Sequence, residues 1–262
     1  MPKGILAALA LALIAAGASG QTMMQGVALD SPAMTEAELT REDVAARLAA
    51  ATADSPADLS RLRLNGLDLS GLDFTGANLR AARLNGAKLA AARLDGAELS
   101  QAWLFNADLT GASLKGARLF QTQFGRAILR GADLSGARTA ADFTKADLTG
   151  ARLVGADFSA DMRNQSMGLM RGVLTNVIAD GADFSDALLM RADLEFGSFK
   201  GARFAGADFS RATLGGADLT GADVTGAVFD GADVTSARLI GLLGADEAAL
   251  ARARNLPRAF RR

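Results

Sequence analysis

From Leu59 to Leu134 every fifth residue is Leu or Phe, sixteen positions without an exception, and no regular secondary structure can carry that period. On an α-helix five residues turn through about 500°, so successive leucines would drift by ~140° and spiral round the axis. In a continuous strand five is an odd number, and every second leucine would point to the wrong face. The chain must therefore turn a corner every five residues. A second run, from Phe184 to Leu239, holds twelve positions that are all Leu, Phe or Val. Two residues before each of these, alanine is invariant from Ala77 to Ala117. Residues two apart share a face of an extended segment, so the alanine and the leucine of each unit both point inward. The following pair is rich in turn formers, as in Leu69-Ser70-Gly71 and Leu109-Thr110-Gly111. Each unit is thus a short side followed by a corner.

Units such as Gly76-Ala77-Asn78-Leu79-Arg80, Asn106-Ala107-Asp108-Leu109-Thr110 and Gly216-Ala217-Asp218-Leu219-Thr220 closely resemble the A-(D/N)-L-x-x signature of the pentapeptide-repeat proteins. The resemblance spans residues 58–240. It implies an all-β solenoid, a right-handed quadrilateral β-helix with four units to a coil and Leu, Phe and Ala inside. The central positions from 59 to 239 amount to about nine coils, a rod some 43 Å long at the ~4.8 Å spacing of strands. The resemblance also implies that a C-terminal segment can serve a homodimer.

The register slips twice. One residue is missing between Leu134 and Phe143, because Thr139 to Phe143 is only four steps. The motif degrades from Asp161 to Asp180 and the first phase returns by Leu174 or Phe184, as one extra residue in residues 160–180 would allow. This predicts a bulge or short loop on one corner. Short helices should cap the ends. Thr40 can cap the first, with Asp43 at its third position, a Leu39–Val44 staple and Pro56 as a stop. Residues 246–255 read as a second helix that Pro257 ends, followed by a basic tail within residues 241–262.

Residues 1–18 read as a secretory signal: Lys3, the uncharged apolar run Ile5 to Ala16, and Ala16-Gly17-Ala18 as a small-x-small cleavage site. Twelve helical residues rise about 18 Å, short of the ~30 Å hydrocarbon layer, so the run does not span a membrane. A periplasmic or secreted chain beginning with an N-terminal segment, residues 19–57, is the expectation.

With no His and no Cys, the commonest general base, thiol nucleophiles and disulfides are excluded. Neither an enzyme nor a cofactor or metal centre is expected. Asp recurs just before the central residue, for example at Asp68, Asp108, Asp147 and Asp218. Paired acids for hydrolysis are the functional reading; local turn hydrogen bonds explain the recurrence more simply. Some members of the family act on DNA gyrase by mimicking DNA, which needs a sustained negative field. Here Arg63, Arg83, Lys88, Arg93, Arg118 and Arg138 interrupt the acids, and without Lys3 the chain carries 27 basic against 29 acidic residues. A near-neutral rod of this kind also does not suit nucleic acid as a partner.

Large apolar groups at outward positions point to a partner-binding patch instead. Trp103 stands where Asp or Asn is usual, and Phe105 and Phe120 occupy the first corner position. Stacking by twenty residues puts Arg83 and Gln123 on either side of Trp103, with Phe120 on the adjoining corner and Arg118 nearby. Aromatic groups flanked by Arg are the anchors of protein interfaces, so an unidentified protein or envelope component is the expected partner. Met162, Met167, Met170 and Met190 gather in and beside the degraded stretch. They could hold copper(I) or fill gaps in the core.

Overall fold

The computed structural model describes residue 28, residues 30–160 and residues 170–262. The signal segment and Met162 and Met167 lie outside the described residues. The chain winds as a right-handed four-sided coil. Each side contributes one residue to a parallel ladder, and four such ladders run along the rod. Face 1 begins at Asp58 paired with Asn78, face 2 at Arg63 with Arg83, face 3 at Asp68 with Lys88, and face 4 at Asp73 with Arg93. Leu59, Leu64, Leu69 and Phe74 and their successors fill the interior with the alanine columns, nearly all with no exposed surface. Leucine dominates the first coils. Farther along, Phe124 and Phe143 stack at 4.8 Å, Phe184 and Phe204 at 4.9 Å, and Phe209 and Phe229 at 5.0 Å.

The repeat follows from an accounting of backbone amides. The N–H of Asn78 donates to Ala57 O at 2.9 Å, that of Leu59 to Asn78 O at 2.8 Å, and that of Ala81 to Ser100 O at 2.9 Å. At the corner, Ala77 N–H donates to Phe74 O at 2.9 Å across Thr75 and Gly76, and Gly76 has φ +67°. A positive φ at that place is what a type II turn demands. Four of the five amides in a unit are thereby paired. The fifth, on the first corner residue, is left over, and the outward Asp takes it: Thr110 N–H donates to Asp108 Oδ1 at 3.0 Å, and Ser185 N–H to Asp183 Oδ1 at 3.0 Å. Asp recurs because one amide per corner would otherwise go unpaired.

Both register slips fall on the corner between faces 1 and 2. The expected missing residue is there: Gln123 pairs with Asp142 and Arg138 with Asp157, a coil of nineteen residues. Thr139 fills a central position with no exposed surface, and its Oγ1 donates to Asp157 O at 3.0 Å. The second slip is larger than a single-residue bulge. Asp142 pairs next with Val173, thirty-one residues on, so the coil carries eleven extra residues, two quintets and one. The sequence phase shows only the remainder after division by five. The ladder resumes at Val173, with Leu174 as its central residue.

A strap closes the N-terminal end. Helix α1 (Pro32–Thr35) lies on the corner between faces 2 and 3, where Asn65 donates to Glu36 O at 2.9 Å and Asn85 to Met34 O at 3.2 Å. Helix α2 (Arg41–Ala49) has the expected capping box, Thr40 accepting from Asp43 N–H and Asp43 from Thr40 N–H, and it buries Val44. At the other end the expected helix over 246–255 is cut to α3 (Glu247–Leu250). The chain then returns to the coil: Arg254 pairs with Asp233 and Phe260 with Arg238, adding rungs where more helix was expected. Asn255 takes a left-handed φ of 62°, and Pro257 sits inside a 3-10 turn, Leu256–Arg258, rather than beyond a helix. Among the described residues no helix is long and apolar enough to cross a membrane.

Candidate functional site

Where a rod repeats itself, the informative positions are those that break the repeat. Three consecutive coils do so on the same corner, between faces 1 and 2. In the first, Thr122 replaces the inward alanine and donates to Leu99 O at 2.8 Å. Beside it Gln123 is only 6% exposed, donates to Gln121 O at 3.2 Å, and leaves Oε1 without a partner among the described residues. In the second, the turn shrinks to the single residue Ala140, with Ala141 N–H bonded to Thr139 O at 2.6 Å. In the third, eleven residues are inserted between Phe158 and Gly172.

The structure divides the five residues of the aromatic patch among neighbouring positions. Trp103 is on face 2, between Arg83 and Gln123. Phe105 is on the corner between faces 2 and 3, its ring centre 6.3 Å from that of Trp103. The ring of Phe105 covers Gly125, where a Cβ would stand 2.3 Å from it. Phe105 has no Asp two residues earlier to bond its amide, since Trp103 occupies that place. Asn85 of the preceding coil accepts that amide at 3.1 Å. Arg83 turns toward the strap and donates to Ala33 O at 3.3 Å, so it is a tether as much as a flank. Phe120 is half-buried on the corner between faces 1 and 2, and Arg118 is exposed on face 1, 3.7 Å from Glu98.

The same corner gathers groups that the sequence kept apart. Gln101 donates to Gln121 Oε1 at 3.1 Å, and Gln121 donates to Met170 Sδ at 3.2 Å. Met190 holds the same corner position as Phe120 three rungs farther along the rod, and its carbonyl accepts from Ala160 N–H at 3.2 Å. Met170 and Met190 thus reach one edge, Met170 against the amide side chain of Gln121. One step toward the N-terminus, Asn78, Arg80, Glu98, Ser100, Gln101 and Phe120 line an open recess of about 430 Å³.

The outward carboxylates are occupied. Beyond its bond to the corner amide, Asp147 Oδ1 accepts from Thr149 Oγ1 at 2.6 Å, and its other oxygen meets Arg130 Nε at 2.6 Å. Burial alone would push Asp147 up, but the Thr149 and Arg130 contacts outweigh it and hold the carboxyl below its usual range. In Asp223, less buried, the hydroxyl and amide of Thr225 lower it. Glu195 goes the other way, raised by burial and by Asp193 beside it. Basic residues stand on rungs beside the acids, as in Arg93–Asp73 at 3.5 Å and Arg238–Asp218 at 3.4 Å. The rod therefore carries no sustained negative field. Among the described residues no group of three acids could hold a metal ion. Sequence reasoning passed over Phe196, which is 62% exposed and lies over Gly216. A Phe at a corner position with φ 58°, where Gly is the rule, was the available signal.

A family model described as Pentapeptide repeats matches residues 57–96, 73–111, 82–119, 107–138, 139–159, 173–206 and 207–241. The break between 159 and 173 coincides with the insertion. No curated protein matches the chain. Among solved structures, HetL, involved in heterocyst differentiation regulation in the cyanobacterium Nostoc, is 32% identical over 82% of this chain and 94% of its own, with a TM-score of 0.42. QnrB1, a plasmid-mediated fluoroquinolone resistance protein, is 20% identical over 73% of this chain and 84% of its own, with a TM-score of 0.43. A pentapeptide repeat protein of the Arabidopsis thaliana thylakoid lumen is 29% identical over 57% and 69%, with a TM-score of 0.16. With the five-residue period, the four ladders and the family model in agreement, the chain belongs to the pentapeptide-repeat family.

Proposed function

We infer that this protein is an exported, non-enzymatic scaffold that binds a protein or envelope component along the corner between faces 1 and 2. One observation carries the reading: between Asp58 and Leu243 both changes of register fall on that corner, in the two coils that follow the Thr122 and Gln123 substitutions. Over the same span the other three corners keep their two residues, so these departures mark where the surface does something besides repeat. Half-buried Trp103 and Phe120 adjoin that edge and supply the aromatic anchors. Export rests on Lys3, the apolar run Ile5 to Ala16 and the small-residue site after it. The absence of cysteine suits an oxidising compartment, because a stack of coils holds together without disulfides.

The test is affinity capture of the tagged full chain from its own envelope, beside a Trp103→Ser/Phe120→Ser variant. Loss of the captured component in the variant, with melting unchanged, is expected; equal capture sinks the assignment of this edge. Mass spectrometry of the purified protein should show residues 1–18 removed. A soluble cytoplasmic chain that keeps Met1 refutes export while leaving the binding edge to be judged by the capture.

A further inference from the structure

Deepening that reading, we propose that the recess on the corner between faces 1 and 2 is a subsite for a β-linked pyranose strand, an oligosaccharide rather than a peptide. The recess exists because of one column of corner residues. Arg80, Ser100 and Phe120 occupy the same corner position in successive coils, and a small residue stands between two large ones. Arg80 and Phe120 are two rungs apart, about 9.6 Å at the strand spacing. A flat six-membered ring in van der Waals contact on both sides needs about 7–8 Å. The gap above Ser100 is therefore the thickness of one sugar ring.

The walls match that occupant. A β-linked pyranose offers a face of C–H groups, slightly positive, that suits the negative face of a half-buried Phe120. Its edge carries hydroxyls, each both donor and acceptor, and the rim supplies Asn78, Glu98 and Gln101 to meet them in both senses. These side chains are fixed before any ligand arrives. Asn78 Oδ1 accepts from Arg80 N–H at 3.1 Å while its amide donates to Asp58 at 3.0 Å, Glu98 Oε1 accepts from Ser100 N–H at 2.9 Å, and Gln101 donates to Gln121 at 3.1 Å. Polar groups already ordered lose little entropy on binding. The line of amides continues through Gln121, so a strand rather than a single sugar can follow the edge.

The probe is a β-1,4-linked N-acetylglucosamine tetramer titrated into the full chain, followed by the fluorescence of Trp103, the single tryptophan, and by calorimetry. Saturable binding with a Kd on the order of 0.1–1 mM is expected, as suits a shallow subsite. Phe120→Ser should weaken it by about tenfold or more. Ser100→Arg should abolish it by filling the gap, and the fold tolerates Arg there because Arg80 holds the equivalent place one coil earlier. Arg203→Ala, exposed on face 4 and outside the lining, should leave it within about twofold. Circular dichroism and melting confirm that each variant is folded. No saturable binding of the tetramer, or binding that Ser100→Arg leaves intact, overturns the proposal. If the envelope capture above still depends on Trp103 and Phe120 in that event, the scaffold reading stands and only the sugar is wrong. If a peptide recovered in that capture competes for the recess and the tetramer does not, the recess is a protein site.

Discussion

The amide of a first corner residue can find its acceptor in two places, the outward side chain of its own unit or a corner side chain of the preceding coil. Asp183 serves its own corner through Ser185, and Asn85 serves the next coil's Phe105. Removing either acceptor exposes one amide to a half-wet surface, a loss of about 0.5–1.5 kcal/mol. Asp183→Ala and Asn85→Ala should each lower the melting temperature by that modest step, while Asp183→Asn should nearly restore it, since Asn78 already does this work for Arg80. Equal losses for Asp183→Asn and Asp183→Ala in thermal denaturation would count against the acceptor role. Gly125 tests the aromatic pair. A Cβ there collides with the Phe105 ring, and the flexible ring can move, so Gly125→Ala should cost under about 1 kcal/mol. It should nevertheless shift the Trp103 emission by displacing the ring that lies 6.3 Å away; an unchanged spectrum argues against that coupling. Gly111→Ala, at φ 64° with open space around it, should cost about 1 kcal/mol through strain and leave the emission alone.

At the level of elements, the leucine period made the coil and its four sides legible, because burial forces every fifth side chain inward whatever the surface carries. Thr40 and Asp43 made α2 legible for a similar reason, as a cap is a local event. Two features were not. Residues 251–255 are helix-compatible in composition, but open ladder ends at Asp233 and Arg238 recruit the segment that holds Arg254 and Phe260 as further rungs. Pairing with a distant coil overrides local propensity. The insertion showed in sequence only as a one-residue offset, and nothing in the period tells one residue from eleven. Its place also hid the merging of the aromatic patch with the methionines, since Gln121 and Met170 are brought together by the coil and lie 49 residues apart in sequence. Deleting residues 160–170 should restore a twenty-residue coil and leave the melting temperature unchanged or higher, because the flanking rungs Asp142 and Val173 keep their pairing. Envelope capture should fall if that edge is the binding surface. A deletion variant that fails to fold would show instead that the insertion supports the coil.

For the whole molecule, stability is a sum over neighbouring coils, and carboxylates in several of them contribute to it. Asp223, held below its ordinary value by Thr225, is representative. A carboxyl whose folded pKa lies below the unfolded value of about 3.9 stabilises the fold above that value. The contribution disappears as pH falls through the depressed folded value. The rod should therefore keep a nearly constant melting temperature from about pH 7 to pH 5 and lose stability steeply below about pH 4. Asp223→Asn, which keeps an acceptor but cannot be protonated in this range, should shed a share of that acid sensitivity. A melting temperature that falls instead between pH 7 and pH 5 would locate the titrating groups elsewhere.

Ser100 between Arg80 and Phe120 carries a consequence for how such a chain can acquire new properties. One small residue in a column of large ones opens a notch without altering the winding beneath it, because the side chains of Arg80, Ser100 and Phe120 accept no backbone amide among the described residues. A notch can consequently be opened, closed or moved one rung at a time by exchanging single residues. Selection can then tune what the edge holds on to while the interior is left alone.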